Sequence, residues 1–82
     1  MKLVELTKTI VEQLVDDEEL VTVKEFPSEK EDEIIIQIMV PEDQAGKVIG
    51  RQGKIANALR TIVQASSYIN ENKRVNINID SY

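Results

Sequence analysis

Two glycines three residues apart, with long polar side chains between them, are the feature of this 82-residue chain best suited to binding a ligand. Gly50 and Gly53 enclose Arg51 and Gln52, and Lys54 follows directly. Because glycine has no Cβ, a ligand backbone can lie against the protein backbone there, and the amides that open a following helix attract anions. A turn needs only one glycine and favours Asn or Asp over Arg and Gln. The pattern therefore favours a phosphate-binding loop over a plain turn.

Two other glycine motifs for phosphate are excluded by their spacing. Gly46, Gly50 and Gly53 are arranged G-x3-G-x2-G, whereas a dinucleotide fingerprint requires G-x-G-x-x-G after a strand. A P-loop ending in Gly53 and Lys54 requires glycine at position 48 and Ser or Thr at position 55, which are Val48 and Ile55. The sequence therefore predicts neither of these nucleotide-binding folds.

The charge of the chain is divided unevenly along its length. The net charge is −5, but residues 1–43 contain four lysines against thirteen acidic residues, and residues 44–82 contain six basic residues against two acidic ones. No acidic residue occurs between Gln44 and Asn70, the segment that contains the glycine pair. A local excess of positive charge is typical of a nucleic-acid contact, although a solvated helix surface gives the same pattern.

Catalysis and metal binding find little support in the composition. The chain has no cysteine and no histidine, which excludes disulfides, thiolate metal sites and cysteine or histidine chemistry. Ser66 and Ser67 lie late in a predicted helix with no base close in sequence, and the carboxylates of Asp16 and Glu19 belong to an acidic cluster of the kind usually solvated in a turn. We therefore expect no enzymatic activity, no cofactor and no metal.

Apolar spacing, β-rich runs and the positions of the two prolines predict three helices and three strands. The expected helices run from Leu3 to near Asp16, from about Glu42 to Ile49, and from about Ile55 to a stop at Asn70–Lys73. The expected strands are Leu20–Phe26, ended by Pro27, then Glu33–Val40, and Val75–Asp80. The β-branched run Glu33–Val40 is typical of a central strand buried on both faces.

The order α-β-β-α-α-β predicts an α+β fold in two layers, a three-stranded sheet with the helices packed on one face. We expect residues 1–82 to form one domain, with no repeat or linker. Because charges at Lys2, Glu5 and Lys8 interrupt the first ten residues, these form neither a signal peptide nor a membrane span. The expected location is the cytoplasm, with no membrane partner.

The glycine pair and its surroundings resemble the KH domain. In that domain a GXXG loop between two helices clamps about four nucleotides of a single strand. The element order, with Val48-Ile49 before the loop and Lys54-Ile55 after it, resembles the prokaryotic type II variant. Essentially the whole chain resembles the small bacterial single-KH family called KhpA, and the segment Ala45–Val63 is similar to the central segment of that family. The resemblance implies binding of single-stranded RNA, a role as RNA chaperone or post-transcriptional regulator, and links to cell-wall and cell-shape control.

The resemblance also assigns roles to residues of the loop and its flanks. Gly50 and Gly53 become the hinges of the clamp, and Arg51 and Gln52 face the sugar-phosphate backbone. Ile49 and Ile55 would form an apolar floor of the groove, although core packing would explain these two residues equally well. Lys47 and Lys54 would add positive charge at the rim. Val75 and Ile77 would form the opposite wall. Arg60 and the pair Lys73-Arg74 could extend the path or simply be solvated. With only Phe26, Tyr68 and Tyr82 as aromatic residues, stacking folds such as the RRM or OB fold are not expected.

A second surface is predicted on the long helix. Its apolar residues cover about half the circumference at 100° per residue, more than a core-facing stripe requires. The surplus edge contains Ala58, Ile62, Ala65 and Ile69, and either faces a partner or packs against the sheet of this small domain. The resemblance implies a homodimer or a heterodimer with a larger KH-containing, Jag-type protein. It leaves open an alternative function, a protein-interaction adaptor whose nucleic-acid groove is weak or unused.

Overall fold

The computed structural model describes residues 2–82 and has the predicted order of helices and strands. The three α-helices are α1 (Leu3–Glu12), α2 (Glu42–Ile49) and α3 (Lys54–Asn70), and the three strands are β1 (Thr22–Pro27), β2 (Glu33–Val40) and β3 (Arg74–Ser81). Two short 3-10 helices, Glu18–Leu20 and Arg51–Gly53, lie in the connections before β1 and between α2 and α3.

The sheet has the order β1-β2-β3, so β2 is central as predicted. β1 pairs with β2 antiparallel, with Val23 opposite Ile38, and β2 pairs with β3 parallel, with Ile36 opposite Ile77. The parallel pairing requires a long crossover, which α2 and α3 supply together. The crossover places the glycine pair at the junction of these two helices.

The helices cover one face of the sheet and form the core with it. The residues of this core that have no exposed side-chain surface are Val11, Ile36, Ile38, Val40, Val48 and Val63. They come from all three helices and from the central strand, so the helix-facing side of β2 is sealed. The predicted α+β fold, with a three-stranded sheet and helices on one face, is confirmed.

The expectation that both faces of β2 are buried was wrong. Ile34, Ile36, Ile38 and Val40 are buried, whereas the alternate residues, among them Ile35 and Met39, are only half-buried. The reason is that every helix lies on the same side of the sheet, and β-branched residues also suit a half-covered strand.

Several element boundaries also differ from the prediction, most of all the end of α1 and the start of β1. α1 ends at Glu12 rather than near Asp16, because Gln13 and Leu14 donate their amides to the carbonyls three residues back and tighten the last turn. β1 begins at Thr22, because Leu20 belongs to a 3-10 helix whose entry is capped by the Asp17 side chain. Among residues 2–82, no helix is both long enough and apolar enough to cross a membrane.

Candidate functional site

The loop between α2 and α3 has an unusual backbone. Gly50, Gln52 and Gly53 have φ angles of +78°, +56° and +75°, all in the left-handed region that glycine tolerates and other residues seldom adopt. The Gly50 amide donates to the Gly46 carbonyl at 2.9 Å and ends α2, and the Gly53 amide donates to the Gly50 carbonyl at 3.2 Å. The two glycines thus turn the chain sharply enough for α3 to begin at once.

Gly50 is required by space as well as by conformation. A Cβ at this position would lie 2.6 Å from Cγ1 of Ile55 and 2.9 Å from its backbone nitrogen. A Cβ at Gly53 would meet only Asn57 Nδ2 at 3.9 Å, an ordinary contact distance. Gly50 therefore holds α2 close against the first turn of α3, whereas Gly53 leaves its outer side open to a ligand.

Arg51 and Gln52 lie at the tip of the loop, and both are exposed. Gln52 adopts its positive φ without the Asn or Asp side chain that usually accompanies it, which costs about 1–3 kcal/mol. Strained residues of this kind concentrate at binding sites, where the surrounding structure maintains them. The strain lies at Gln52, one of the two loop positions that the sequence pattern selected.

The first turn of α3 contributes a positive end. It contains no acidic residue, and among residues 2–82 no side chain caps it, although the Lys54 amide donates to the Arg51 carbonyl. Lys54, at its first position, is exposed, and within residues 2–82 neither Lys54 nor Arg51 forms an ion pair. A helix N-terminus with adjoining cations favours an anion such as a phosphate group.

Lys47 lies in a different electrostatic environment. Its Nζ donates to Oδ2 of Asp16 at 2.6 Å, and Gln44, one turn earlier in α2, accepts the Asp16 amide at 3.0 Å. The hydrogen bond and the charge of Lys47 lower the pKa of the Asp16 carboxyl below its ordinary value. The Lys47 ammonium, predicted at the rim of the groove, is thus bound to the connection after α1. Sequence reasoning missed Asp16, because 31 residues separate it from Lys47.

The apolar positions beside the loop differ in burial. Ile49 is 39% exposed and Ile55 is half-buried against Gly50, and neither belongs to the main core cluster. Both can therefore present apolar surface next to the loop. Of the two residues expected to form the opposite wall, Val75 is half-buried, but Ile77 is 4% exposed and is part of the core. Ile77 therefore does not line a groove.

The predicted partner surface lies on the outer side of α3. Ala58, Ile62, Ala65 and Ile69 are all exposed, with Ile62 at 49% and Ile69 at 82%. The possibility that this edge packs against the domain's own sheet is therefore wrong. The sheet receives the opposite side of α3 through Ala56, Leu59 and Val63.

Comparisons with known proteins place the chain among bacterial relatives of similar length. The family model described as KhpA/KhpB, KH domain matches residues 4–79. The chain is 45% identical to the RNA-binding protein KhpA of Caldanaerobacter subterraneus subsp. tengcongensis, over 92% of this chain and 96% of that protein. It is 43% identical to the RNA-binding protein KhpA of Clostridium acetobutylicum, again over 92% of this chain and 96% of that protein. These relatives are named as RNA-binding proteins and not as enzymes, which confirms the expectation that the chain is not an enzyme.

A solved structure shares the fold. It is the crystal structure of Era in complex with MgGDPNP and nucleotides 1506–1542 of 16S ribosomal RNA, which superposes with a TM-score of 0.68 over 96% of this chain and 29% of that chain. At 15% identity this likeness concerns the fold alone. The family model and the relatives show the family as well as the fold, because the model matches residues 4–79 and the relatives are 45% and 43% identical over 92% of the chain. The chain therefore belongs to the KhpA/KhpB family of KH domains.

Proposed function

We propose that this protein binds single-stranded RNA by clamping its sugar-phosphate backbone against the loop Gly50–Gly53. The observation that carries the proposal is the backbone of this loop, in which glycines with positive φ leave room for a ligand backbone while Arg51 and Lys54 have no acidic partner in the described chain. The RNA-binding names of the relatives support it. Bases would rest on the apolar surface of Ile49 and Ile55, next to the loop.

The test is a binding measurement with a charge-reversed loop. Fluorescence anisotropy of labelled single-stranded RNA is recorded against the wild type and an Arg51→Asp, Gln52→Asp double variant over a range of salt concentrations. About four phosphate contacts on a single strand give a slope of log K against log[salt] near −3. We expect the wild type to show this slope and the double variant to lose most of its affinity.

A matched control is available on α1. Lys8 and Gln13 are exposed, and the Lys8→Asp, Gln13→Asp variant makes the same change in net charge far from the loop in sequence. If this control weakens RNA binding as much as the loop variant does, the effect is one of overall charge and the clamp is refuted. Circular dichroism establishes that all three proteins are folded.

We further propose that RNA binding serves an RNA chaperone or post-transcriptional role in the cytoplasm, with a link to cell-wall and cell-shape control. A small groove that contacts mainly the backbone binds many sequences weakly, as a chaperone requires. Acceleration of strand annealing by the wild type, and not by the loop variant, tests the chaperone role directly.

A second candidate function is dimerisation through the outer side of α3, with a second copy or with a larger KH-containing, Jag-type protein. The exposure of Ile62 and Ile69 favours it, because these side chains offer apolar area and the small residues Ala58 and Ala65 beside them allow close approach of another helix. Two weak RNA grooves joined in this way would bind one strand more tightly through effective concentration. A pure adaptor would use this surface alone.

Sedimentation analysis distinguishes these possibilities. We expect Ile62→Asp to reduce the mass of a homodimer to that of the monomer, whereas Asn78→Asp, the same charge change at an exposed position of β3, leaves the mass unchanged. A wild type that is monomeric at all concentrations contradicts the homodimer, and a co-purified Jag-type protein lost on Ile62→Asp supports the heterodimer. An adaptor predicts that the loop variant keeps full function in cells and that Ile62→Asp abolishes it.

A further inference from the structure

An apolar cleft lies on the face of the sheet that the helices leave uncovered. On this face Thr22 lies opposite Met39, and Phe26 lies opposite Ile35. The cleft has a volume of about 380 Å³ and is lined by Thr22, Lys24, Phe26, Gln37, Met39 and Tyr82. Phe26 and Tyr82 are 45% and 59% exposed. Single exposed apolar side chains are common, but apolar side chains that meet in a cleft are typical of an interaction site.

Hydrogen bonds hold one wall of this cleft in place. The Tyr82 amide donates to the Val40 carbonyl at 3.0 Å, and the Tyr82 carbonyl accepts the Glu42 amide at 3.0 Å. The Tyr82 hydroxyl donates to the Leu20 carbonyl, so this residue is fixed both at its backbone and at the end of its side chain. A wall that is already ordered lowers the entropy cost of binding.

Acidic residues adjoin the cleft at both of its ends. Residues 16–33, which contain β1 and the segments on either side of it, carry nine acidic residues against two lysines. The 3-10 helix Glu18–Leu20, whose last carbonyl binds the Tyr82 hydroxyl, contributes two of them. The connection at residues 28–32, which follows the end of β1, contributes three. Among residues 2–82 none of these five carboxylates is in an ion pair, so they are available to a cationic partner.

The length and charge of this surface indicate which ligand it suits. The six residues of β1 span about 20 Å at about 3.3 Å per residue, so a ligand that reaches the acidic residues at both ends must have a similar length. About six residues of extended polypeptide have this length. The phosphates of RNA would meet the carboxylates here, and a second copy of this face would bring like charges together.

We propose that the open face of the sheet binds an extended, lysine- or arginine-rich segment of another protein, with one apolar side chain of that segment between Phe26, Met39 and Tyr82. The apolar side chain binds through buried area, and the basic residues on either side of it pair with the carboxylates at the two ends. Lys24 lines the cleft and disfavours a second cation there, which is why the central side chain is apolar. The loop Gly50–Gly53 joins two helices on the other face of the sheet, so RNA and the basic segment can be bound together.

The test uses synthetic peptides and the isotope-labelled protein without RNA. A peptide of three lysines, one leucine and three lysines is compared at low salt with the same peptide containing glycine in place of leucine, through backbone amide shifts. We expect shifts at residues 22–26 and 37–39, and binding of the leucine peptide about five-fold or more tighter than that of the glycine peptide. Phe26→Ser should abolish this preference, whereas Tyr68→Ser, which removes an aromatic ring of similar exposure from α3, should keep it.

The contribution of charge is tested by reversal at one end of the cleft. Glu31→Lys and Glu5→Lys make the same change in net charge at exposed positions, the first in the connection after β1 and the second on α1. We expect Glu31→Lys to weaken the binding of both peptides more than Glu5→Lys does. Equal effects of the two variants would mean that overall charge alone attracts the peptides, which overturns the inference.

The wild type alone is sufficient to overturn the inference. Equal binding of the two peptides, shifts confined to other surfaces, or no shift with either peptide would each do so. Shifts of the open-face amides on dilution of the free protein would place a second copy there, and shifts of the same amides with oligouridylate would place RNA there; both results also overturn it. None of these peptide results bears on the clamp, which the loop variant tests with RNA.

Discussion

Gly50 and Ile55 are packed so closely that a Cβ on the glycine would lie 2.6 Å from the Ile55 side chain. This contact joins the end of α2 to the start of α3 and sets the shape of the loop between them. Glycine at position 50 therefore supports the fold and the candidate site at once. The three glycines of the chain therefore differ in how much stability a substitution by alanine should cost.

The first prediction concerns Gly50→Ala. The left-handed φ costs an L-residue about 1–2 kcal/mol, and overpacking against Ile55 adds about 1–3 kcal/mol, a loss comparable with the whole stability of a domain this small. Gly53→Ala has the φ cost without the clash, and Gly46→Ala, inside α2 with open space around it, should stabilise by about 0.5–1 kcal/mol. Urea unfolding gives the order; equal free energies of unfolding for the three variants would contradict the contact.

The second prediction concerns pH and the Asp16–Lys47 pair. Because the folded protein lowers the pKa of Asp16, the pair stabilises the fold above the ordinary aspartate pKa, and this contribution disappears as pH falls through the lowered value. We expect Asp16→Asn to be less stable than the wild type at pH 7, by a small margin for so exposed a pair, and the difference to shrink as the pH falls below the ordinary aspartate pKa. Urea unfolding at neutral and at acidic pH checks this, and a gap that is undiminished in acid rules it out.

The same pair predicts a change in RNA binding. If Lys47 is released from Asp16, its ammonium becomes available to a phosphate beside the loop, and the salt slope should steepen by up to about 0.7. The test variant is Asp16→Asn, and Asp17→Asn is its matched control. Asp17→Asn removes the same charge at the next residue, whose carboxylate caps a 3-10 helix and does not bind Lys47. Equal slopes for the two variants in the anisotropy titration would show that Lys47 takes no part.

The fourth prediction concerns Gln64 and the edge of the sheet. Gln64→Ala leaves the Val75 amide without its acceptor, although the Lys73 carbonyl keeps Ser67. We expect a loss of about 1 kcal/mol and faster hydrogen exchange at the Val75 amide. Gln64→Glu keeps an acceptor for that amide and should restore its protection. If hydrogen exchange at the Val75 amide is unchanged in Gln64→Ala, the Gln64 side chain does not hold β3 against α3.

The element order could be predicted from the sequence because the apolar spacing is regular in α1, α3 and β3, β2 is a short β-branched run, and Pro41 marks the start of α2. The two-sided burial of β2 could not, since an unbroken run such as Ile34-Ile35-Ile36 looks the same whether one face or both are covered. Whether a second layer exists depends on the path of the whole chain. Here all three helices return to the same face.

At the candidate site, the sequence identified the glycines because their spacing is local. It did not indicate the positive φ of Gln52, a residue type that seldom adopts this conformation, or the pairing of Lys47 with Asp16, which is a contact between distant segments. It also placed Ile77 on a groove wall, although alternation along β3 directs this side chain into the core. The local motif could thus be predicted, whereas the ion pairs and the burial of the residues around it could not.

The most direct test of the central claim is an NMR titration of the isotope-labelled protein with single-stranded RNA, followed through backbone amide shifts. The account predicts that the largest changes occur at Gly50, Arg51, Gln52, Gly53 and Lys54. Changes concentrated on the open face of the sheet, around Phe26 and Met39, with the loop amides unmoved, would contradict it.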